Sequence, residues 1–162
     1  MSRTKFVSLE EAATLIPDGS IVAVSSSSAL GCPDALLRAI GERFSATGTP
    51  HDLPTLHPIA AGDMYGVSGI DQIAYPGLLR RVIAGSYPSG PSSQSSPRIW
   101  QMIDNNQIEA YNLPSGILFH VHRQPGSARP GQVAAVGANL DALRVRPAQA
   151  QVAGLERKIG AG

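Results

Sequence analysis

Apolar residues fall in short blocks along this chain, and most blocks end in a turn signal. Ser8-Leu9-Glu10-Glu11 has the spacing of a capping box, in which Ser8 accepts from the Glu11 amide and Glu11 reaches back. Ala12, Leu15 and Ile16 then make a short helical stripe, stopped by Pro17-Asp18-Gly19. Residues 21–24, Ile-Val-Ala-Val, are a continuous apolar run that predicts a strand buried on both faces, the habit of parallel sheets. Pro33 and Asp34 suit the first turn of a helix; Leu37, Ile40 and Phe44 recur at i, i+3 and i+7 on one face of it. That helix fades by Gly48-Thr49-Pro50. Residues 53–60 hold a second strand centred on 55–59, and Ala61-Gly62-Asp63 turns the chain at its end. Residues 70–79 read as a short helix broken near Pro76-Gly77, and 80–85 as a third strand. Ile99, Trp100, Met102 and Ile103 supply another helix that ends at Asn105-Asn106. Residues 109–113 read as a fourth strand and 117–123 as a last helix.

Strand, loop, helix and strand thus recur at intervals of roughly thirty residues, the order that right-handed βαβ units satisfy. The expected fold class is α/β: an open, mostly parallel sheet flanked by helices, with an irregular C-terminal tail. Ligands of such sheets bind beyond the carboxyl ends of the strands, where helix N-termini point outward. The loops at 25–33, 61–69, 86–97 and 112–116 all fall at that edge, and the third is too long to be a mere connector.

Composition narrows the function classes. A chain of 162 residues buries one ordinary core. With 13 basic and 12 acidic side chains it lacks the basic field of a nucleic-acid binder, so no nucleic-acid partner is expected. One cysteine, Cys32, excludes an internal disulfide framework and a multi-thiolate zinc site. No apolar stretch approaches the length of a membrane-spanning helix, and the first six residues have no apolar signal region. A cytoplasmic protein without a membrane partner is the expectation. The chain is not uniform, however. Residues 1–122 carry seven Lys/Arg and ten Asp/Glu, whereas 123–162 carry six and two. All eight aromatics lie between Phe6 and Phe119. We therefore divide it into an α/β domain over 1–123 and a divergent, poorly ordered tail over 124–162. A frameshift, an early stop or a split gene would give the tail its composition.

Each chemical candidate has a plainer reading beside it. The serine run Ser25-Ser26-Ser27-Ser28, ahead of Pro33 and a helix N-terminus, suits a phosphate, carboxylate or oxyanion; the alternative is a flexible loop. It matches neither the dinucleotide fingerprint nor the P-loop, and the only lysines, Lys5 and Lys158, are remote. Cys32 at a helix start can act as a nucleophile, or simply as a small buried hydrophobe. His120-x-His122 invites a metal, but on a helix the two side chains point about 200° apart. His51 and His57 sit on a distant loop and strand, so no metal site is expected. Of the five glutamates, Glu10 and Glu11 belong to a helix start, Glu42 to a helix surface and Glu156 to the tail. Glu109 begins a strand and reads as structural.

Several stretches together resemble a known family. They are residues 7–12 and 17–24, Gly31-Cys32-Pro33, Gly77-Leu78-Leu79-Arg80-Arg81-Val82-Ile83-Ala84-Gly85 and, most specifically, Ile108-Glu109-Ala110-Tyr111-Asn112-Leu113-Pro114-Ser115-Gly116. With them, residues 7–123 resemble the N-terminal part of family I CoA-transferases of the acetate/propionate/3-oxoacid type. The resemblance implies an open α/β domain facing a second, similar domain. It implies exchange of CoA between an acyl-CoA and a short-chain carboxylate, in ketone-body or short-chain fatty acid metabolism. The family route runs through an acyl–glutamyl anhydride and a glutamyl-CoA thioester. Coenzyme A is then a substrate, and no metal or nucleotide cofactor is needed.

By position, the resemblance assigns acyl and CoA binding to Ser25, Ser26, Ser27, Ser28, Gly31 and Pro33, and to Asn112, Ser115 and Gly116. Serines replace most glycines of the family's first loop, and Ser115 stands where glutamine is common. None of the five glutamates is followed two positions later by glycine, the family's nucleophile pattern, so no catalytic residue is assigned to this chain. The implied partners are the two substrates and a C-terminal CoA-transferase domain or second subunit, in an oligomer. The chain alone is then inactive or nearly so. The rival readings are a stand-alone CoA, small-ligand or subunit-binding module without catalysis, and a Cys32 thiol enzyme.

Overall fold

A computed structural model describes residues 6–62, 66–88 and 97–123. The first helix, α1 (Leu9–Thr14), opens as its sequence requires: the Glu11 amide donates to Ser8 Oγ at 3.1 Å. It ends earlier than the apolar stripe predicts. Ala13 is its buried residue, while Leu15 is 72 % exposed. The reason lies in another element. Arg43 donates to the carbonyls of Ala13 (2.6 Å) and Ile16 (2.9 Å), satisfying the helix end from outside.

Arg43 belongs to α2 (Asp34–Thr47), which follows the short strand β1 (Val22–Ala23). Leu37 and Ile40 turn inward as predicted, Phe44 is half-buried against the core, and Gly48 closes the helix at φ +74°. Then come β2 (Leu53–His57), a 3-10 turn (Gly69–Ile73), β3 (Leu79–Ala84), α3 (Arg98–Asp104), β4 (Glu109–Asn112) and α4 (Ser115–Arg123). The 3-10 turn replaces the short helix expected within 70–79. Its Asp71 explains where α3 begins: Asp71 Oδ1 accepts the Ile99 amide at 2.8 Å, and Arg98 Nε lies 3.6 Å from Oδ2.

All strand pairs are parallel, in the order β1-β2-β3-β4. The register aligns Val22, Thr55, Val82 and Ala110 in one row and Ala23, Leu56, Ile83 and Tyr111 in the next. Adjacent rows face opposite sides. Val82 and Ala110 join Leu37, Ile40, Ile70 and Ile99 in the main core. Hence α2, the 3-10 turn and α3 cover the same face, as right-handed crossovers stepping one way across a sheet must. Tyr111, with Leu56 and Ile83, packs instead against Leu118 of α4 on the other face.

The predicted first strand is corrected by this topology. β1 is an outer strand, so Ile21 is 71 % exposed and Ala23 is exposed as well; only Val24 is fully covered. No helix among the described residues is long and apolar enough to cross a membrane. The tail over 124–162, much of the predicted 86–97 loop and Asp63 lie outside the described residues.

Gly41 marks the closest approach of α2 to the 3-10 turn, since a Cβ there would run into the Gln72 carbonyl oxygen. Alanine gains about 1 kcal/mol in a helix interior, but overpacking against fixed backbone costs about 1–3 kcal/mol. We expect Gly41→Ala to lower the urea midpoint by the equivalent of about 1 kcal/mol. An unchanged or higher midpoint contradicts this packing.

Candidate functional site

The sheet's carboxyl edge is assembled from four segments. After the Val24 amide bonds the Leu56 carbonyl (2.9 Å), the chain leaves β1 and folds on itself. Ser27 and Leu30 exchange two backbone hydrogen bonds of 2.9 and 3.0 Å, and the Cys32 amide donates to Ala29. Ser28 takes φ +54° and Gly31 +70°. For a serine the left-handed region costs about 1–2 kcal/mol, so neighbours must impose it. They do: the Gly62 amide donates to the Ser28 carbonyl at 3.1 Å, and Ser28 bridges Ala61 as an added strand pair.

Residues 58–62, beyond β2, form a crosspiece. Ala60 receives a 3.4 Å bond on its carbonyl from Ser26 Oγ, and its amide donates to Ser86 Oγ at 2.8 Å. Gly85, at the end of β3, donates to the His57 carbonyl. A Cβ on Gly85 would strike both the Pro58 oxygen and Ser115 Oγ, so only glycine fits between them. β4 finishes with the Leu113 amide on the Ala84 carbonyl (2.9 Å), and Pro114 then accepts the amides of Ile117 and Leu118 as α4 begins.

The nine sequence-assigned residues therefore occupy one edge. Ser25, Ser26, Ser27, Ser28, Gly31 and Pro33 follow β1, whereas Asn112, Ser115 and Gly116 follow β4. Because β1 and β4 are the outer strands, the two groups flank the edge, and residues 58–62, 85 and 86 join them. Ser25, Ser27, Ser28, Gly31, Asn112 and Gly116 are exposed; Ser26, Pro33 and Ser115 are half-buried.

Other candidates fall elsewhere. Asp34 commits its carboxylate to the 3-10 turn, accepting from the Gly69 amide (2.6 Å) and Gln72 Nε2 (3.2 Å). An anion docking on α2 would therefore share the helix end with this charge. Cys32 is half-buried and packed on the core, as its plainer reading has it. His122 Nε2 lies 3.2 Å from the Leu56 carbonyl, and His120 is exposed. Glu109 binds Arg81 through Nε (2.7 Å) and Nη2 (2.6 Å) and accepts from Tyr111 OH (3.1 Å), at the start of β4. Glu42 is exposed beside Arg38, and Glu156 lies outside the described residues.

His57 was not legible as part of the edge. It ends β2 fully buried, with Nδ1 donating to the Ile59 carbonyl at 3.1 Å, which anchors the crosspiece. Its Nε2 is buried without a hydrogen-bond partner among the described residues. Burial pushes the imidazole down to about 4; the Ile59 carbonyl opposes this and His122 reinforces it. His57 is thus neutral near pH 7, its Nδ1 proton fixed by a carbonyl that can only accept. Tyr87 meets the ring edge-on at 6.2 Å and donates to the Tyr111 carbonyl at 2.9 Å, tying the end of β3 to β4. Burial raises the pKa of its hydroxyl, which stays protonated.

No protein-family model matches the chain. Individual proteins do. The acetate CoA-transferase YdiF of Escherichia coli K12 is 30 % identical over 137 residues, 83 % of this chain and 24 % of that one. The caffeate CoA-transferase of Acetobacterium woodii is 32 % identical over 133 residues, 82 % of this chain and 24 % of its own length. The chain therefore spans about a quarter of these curated relatives. A match of that length runs some way past residue 123. Among solved structures, the acyl-CoA transferase YdiF apoenzyme of E. coli O157:H7 superposes with a TM-score of 0.60 at 29 % identity, over 72 % of this chain and 22 % of that one. Its thioester complex with CoA gives 0.64 at 28 % identity, over 76 % and 23 %.

The state of His57 has a measurable consequence. Its folded pKa lies below the ordinary 6.5, so the unfolded chain takes up the proton first as pH falls. The resulting stability is complete above about pH 6.5 and drains away toward pH 4. We expect unfolding free energy to drop by about 2–3 kcal/mol between pH 7 and 4.5 from this group. His57→Asn, which keeps a donor but cannot titrate, should flatten that part of the profile in urea titrations. Equal slopes in both proteins contradict the assignment.

Proposed function

The chain carries a segment of the family I CoA-transferases, and from that kinship we propose that it forms one wall of the cleft in which CoA passes between an acyl-CoA and a short-chain carboxylate. The observation that carries this reading is the shared edge: both loops assigned from sequence flank it, joined by residues 58–62. Exposed hydroxyls and backbone amides there suit the oxyanion that develops on a thioester carbonyl.

The attacking acid comes from outside this chain. Among the described glutamates, Glu10 and Glu11 lie on α1, Glu42 on the surface of α2 and Glu109 at the opposite end of β4. An external glutamate carboxylate attacks the thioester carbonyl, expelling CoA thiolate and forming an acyl–glutamyl anhydride. The thiolate then attacks the glutamyl carbonyl, giving glutamyl-CoA and releasing the first carboxylate. A second carboxylate reverses the sequence. No proton or redox partner is consumed.

Apolar side chains on the same segments support a partner domain or subunit. Leu30 is 77 % exposed, and on α4 Ile117 and Phe119 are 40 % and 48 % exposed. These residues equally favour a second reading, a subunit-binding module without catalysis.

Adding acetyl-CoA to the purified chain should shift amide resonances in residues 25–33 and 112–116 in a saturable way. Transfer to propionate should not exceed the no-protein control until a polypeptide bearing the Glu-x-Gly pattern is added. Unmoved resonances overturn the reading. Transfer by the chain alone overturns the external acid, and binding without rescue favours the module.

A further inference from the structure

Both flanks of the edge are reached from one dipeptide at the end of β3. Gly85 lies under Ser115, with no space for a Cβ between Ser115 Oγ and the Pro58 carbonyl. The next residue, Ser86, is half-buried and accepts the Ala60 amide at 2.8 Å. Ala60 is itself buried and holds Ser26 through its carbonyl. One residue further on, Ala61 bridges Ser28, and the Gly62 amide fixes Ser28 in its left-handed conformation.

We infer that Ser86 is a positioning residue: through Ala60 it sets the conformation of the Ser26–Ser28 turn and its spacing from Ser115. The ligand in this statement rests on the CoA-transferase reading; the coupling itself does not. The Ala60 amide sits in a buried crosspiece, and Ser86 Oγ is its acceptor. Without that oxygen the amide must find water or another acceptor, and the crosspiece has to shift to let it. Such a shift is transmitted at once, because two hydrogen bonds, Ser26 Oγ to the Ala60 carbonyl and the Gly62 amide to the Ser28 carbonyl, join the crosspiece to the serine turn. A turn that already holds a strained serine has little resistance to relaxing.

The test compares Ser86→Ala, Ser86→Thr and, as a control for loss of a hydroxyl elsewhere, Ser45→Ala, whose Oγ donates to Gly41 within α2. Amide spectra and hydrogen exchange come first. Ser86→Ala should speed exchange at Ala60 about tenfold and displace the Ser26 and Ser28 resonances, whereas Ser86→Thr and Ser45→Ala leave them in place. Acetyl-CoA binding, followed by titration, should weaken about tenfold in Ser86→Ala and recover in Ser86→Thr.

Unmoved Ser26 and Ser28 resonances in Ser86→Ala overturn the proposal, whatever the ligand does. Moved resonances with unchanged acetyl-CoA affinity overturn the positioning role in binding. If the unsubstituted chain binds no acetyl-CoA while the resonances move, the coupling stands and the CoA-transferase reading fails. Should the alanine variant not fold, Ser86→Cys, with a weaker acceptor in the same place, should show the same displacements at smaller amplitude.

Discussion

The sheet's carboxyl edge depends on a contact that leaves no room for a side chain. Where β2 and β3 end, the Pro58 carbonyl and Ser115 Oγ occupy the space beside Gly85, and the first atom of any other side chain would collide with both. That approach draws the β4 loop in over the seam between the central strands. It also leaves the Gly85 amide free to extend the ladder by one bond, to the His57 carbonyl. Residues 58–62 are thereby pinned along the edge and can serve as the bar to which the serine turn is fastened. In a sheet ordered β1-β2-β3-β4 the loops of the outer strands start two strands apart, and this junction is one of the contacts that span that distance.

The polar groups in this fold are served by partners far away in sequence, and magnitudes separate the important from the incidental. Asp71 caps α3 from the 3-10 turn, an interaction of the kind that contributes about 1 kcal/mol at helix starts. Arg43 ends α1 in a comparable way. The Arg81–Glu109 pair has good geometry, but with about a third of each side chain exposed (34 % and 35 %) it contributes little after screening. His57 is the opposite case. It is fully buried and uncharged, and its one hydrogen bond shapes the turn into the crosspiece.

What could be read in the sequence was what local periodicity governs. β2, β3, β4, α2 and α3 lie within a few residues of where the apolar patterns put them. The rule that ligands gather at the carboxyl ends of parallel strands, together with the family resemblance, placed both loops at one edge. What escaped was set at long range. The stop of α1 depends on Arg43, 27 to 30 residues away in sequence. The exposure of Ile21 depends on β1 being an outer strand, and the strand's own residues say nothing about that. The commitment of Asp34 to Gly69 and Gln72, and the burial of His57, likewise follow from which turns pack together. Gly85 was the only local hint of the junction, and a glycine at a strand end has many ordinary explanations.

The direction of winding ties the architecture to the chemistry. Each crossover steps the same way, so α2, the 3-10 turn and α3 crowd one face and leave α4 to cover part of the other. The crowded face makes the core, and the edge receives every loop that leaves the sheet. Those loops offer hydroxyls and amides, which can hold an acyl or anionic group by hydrogen bonds. Among the described residues near them, Asp34 is engaged with the 3-10 turn, and Glu109 with Arg81 at the far end of β4. On the proposed function, a wall of hydroxyls and amides would gain by receiving its acid from a separate structural unit. A carboxylate fixed in the wall would repel the anionic substrate that must leave or enter beside it. On the proposed function, an acid carried on a facing surface would meet the thioester only once the cleft is assembled, and the exposed apolar residues Leu30, Ile117 and Phe119 would favour that assembly.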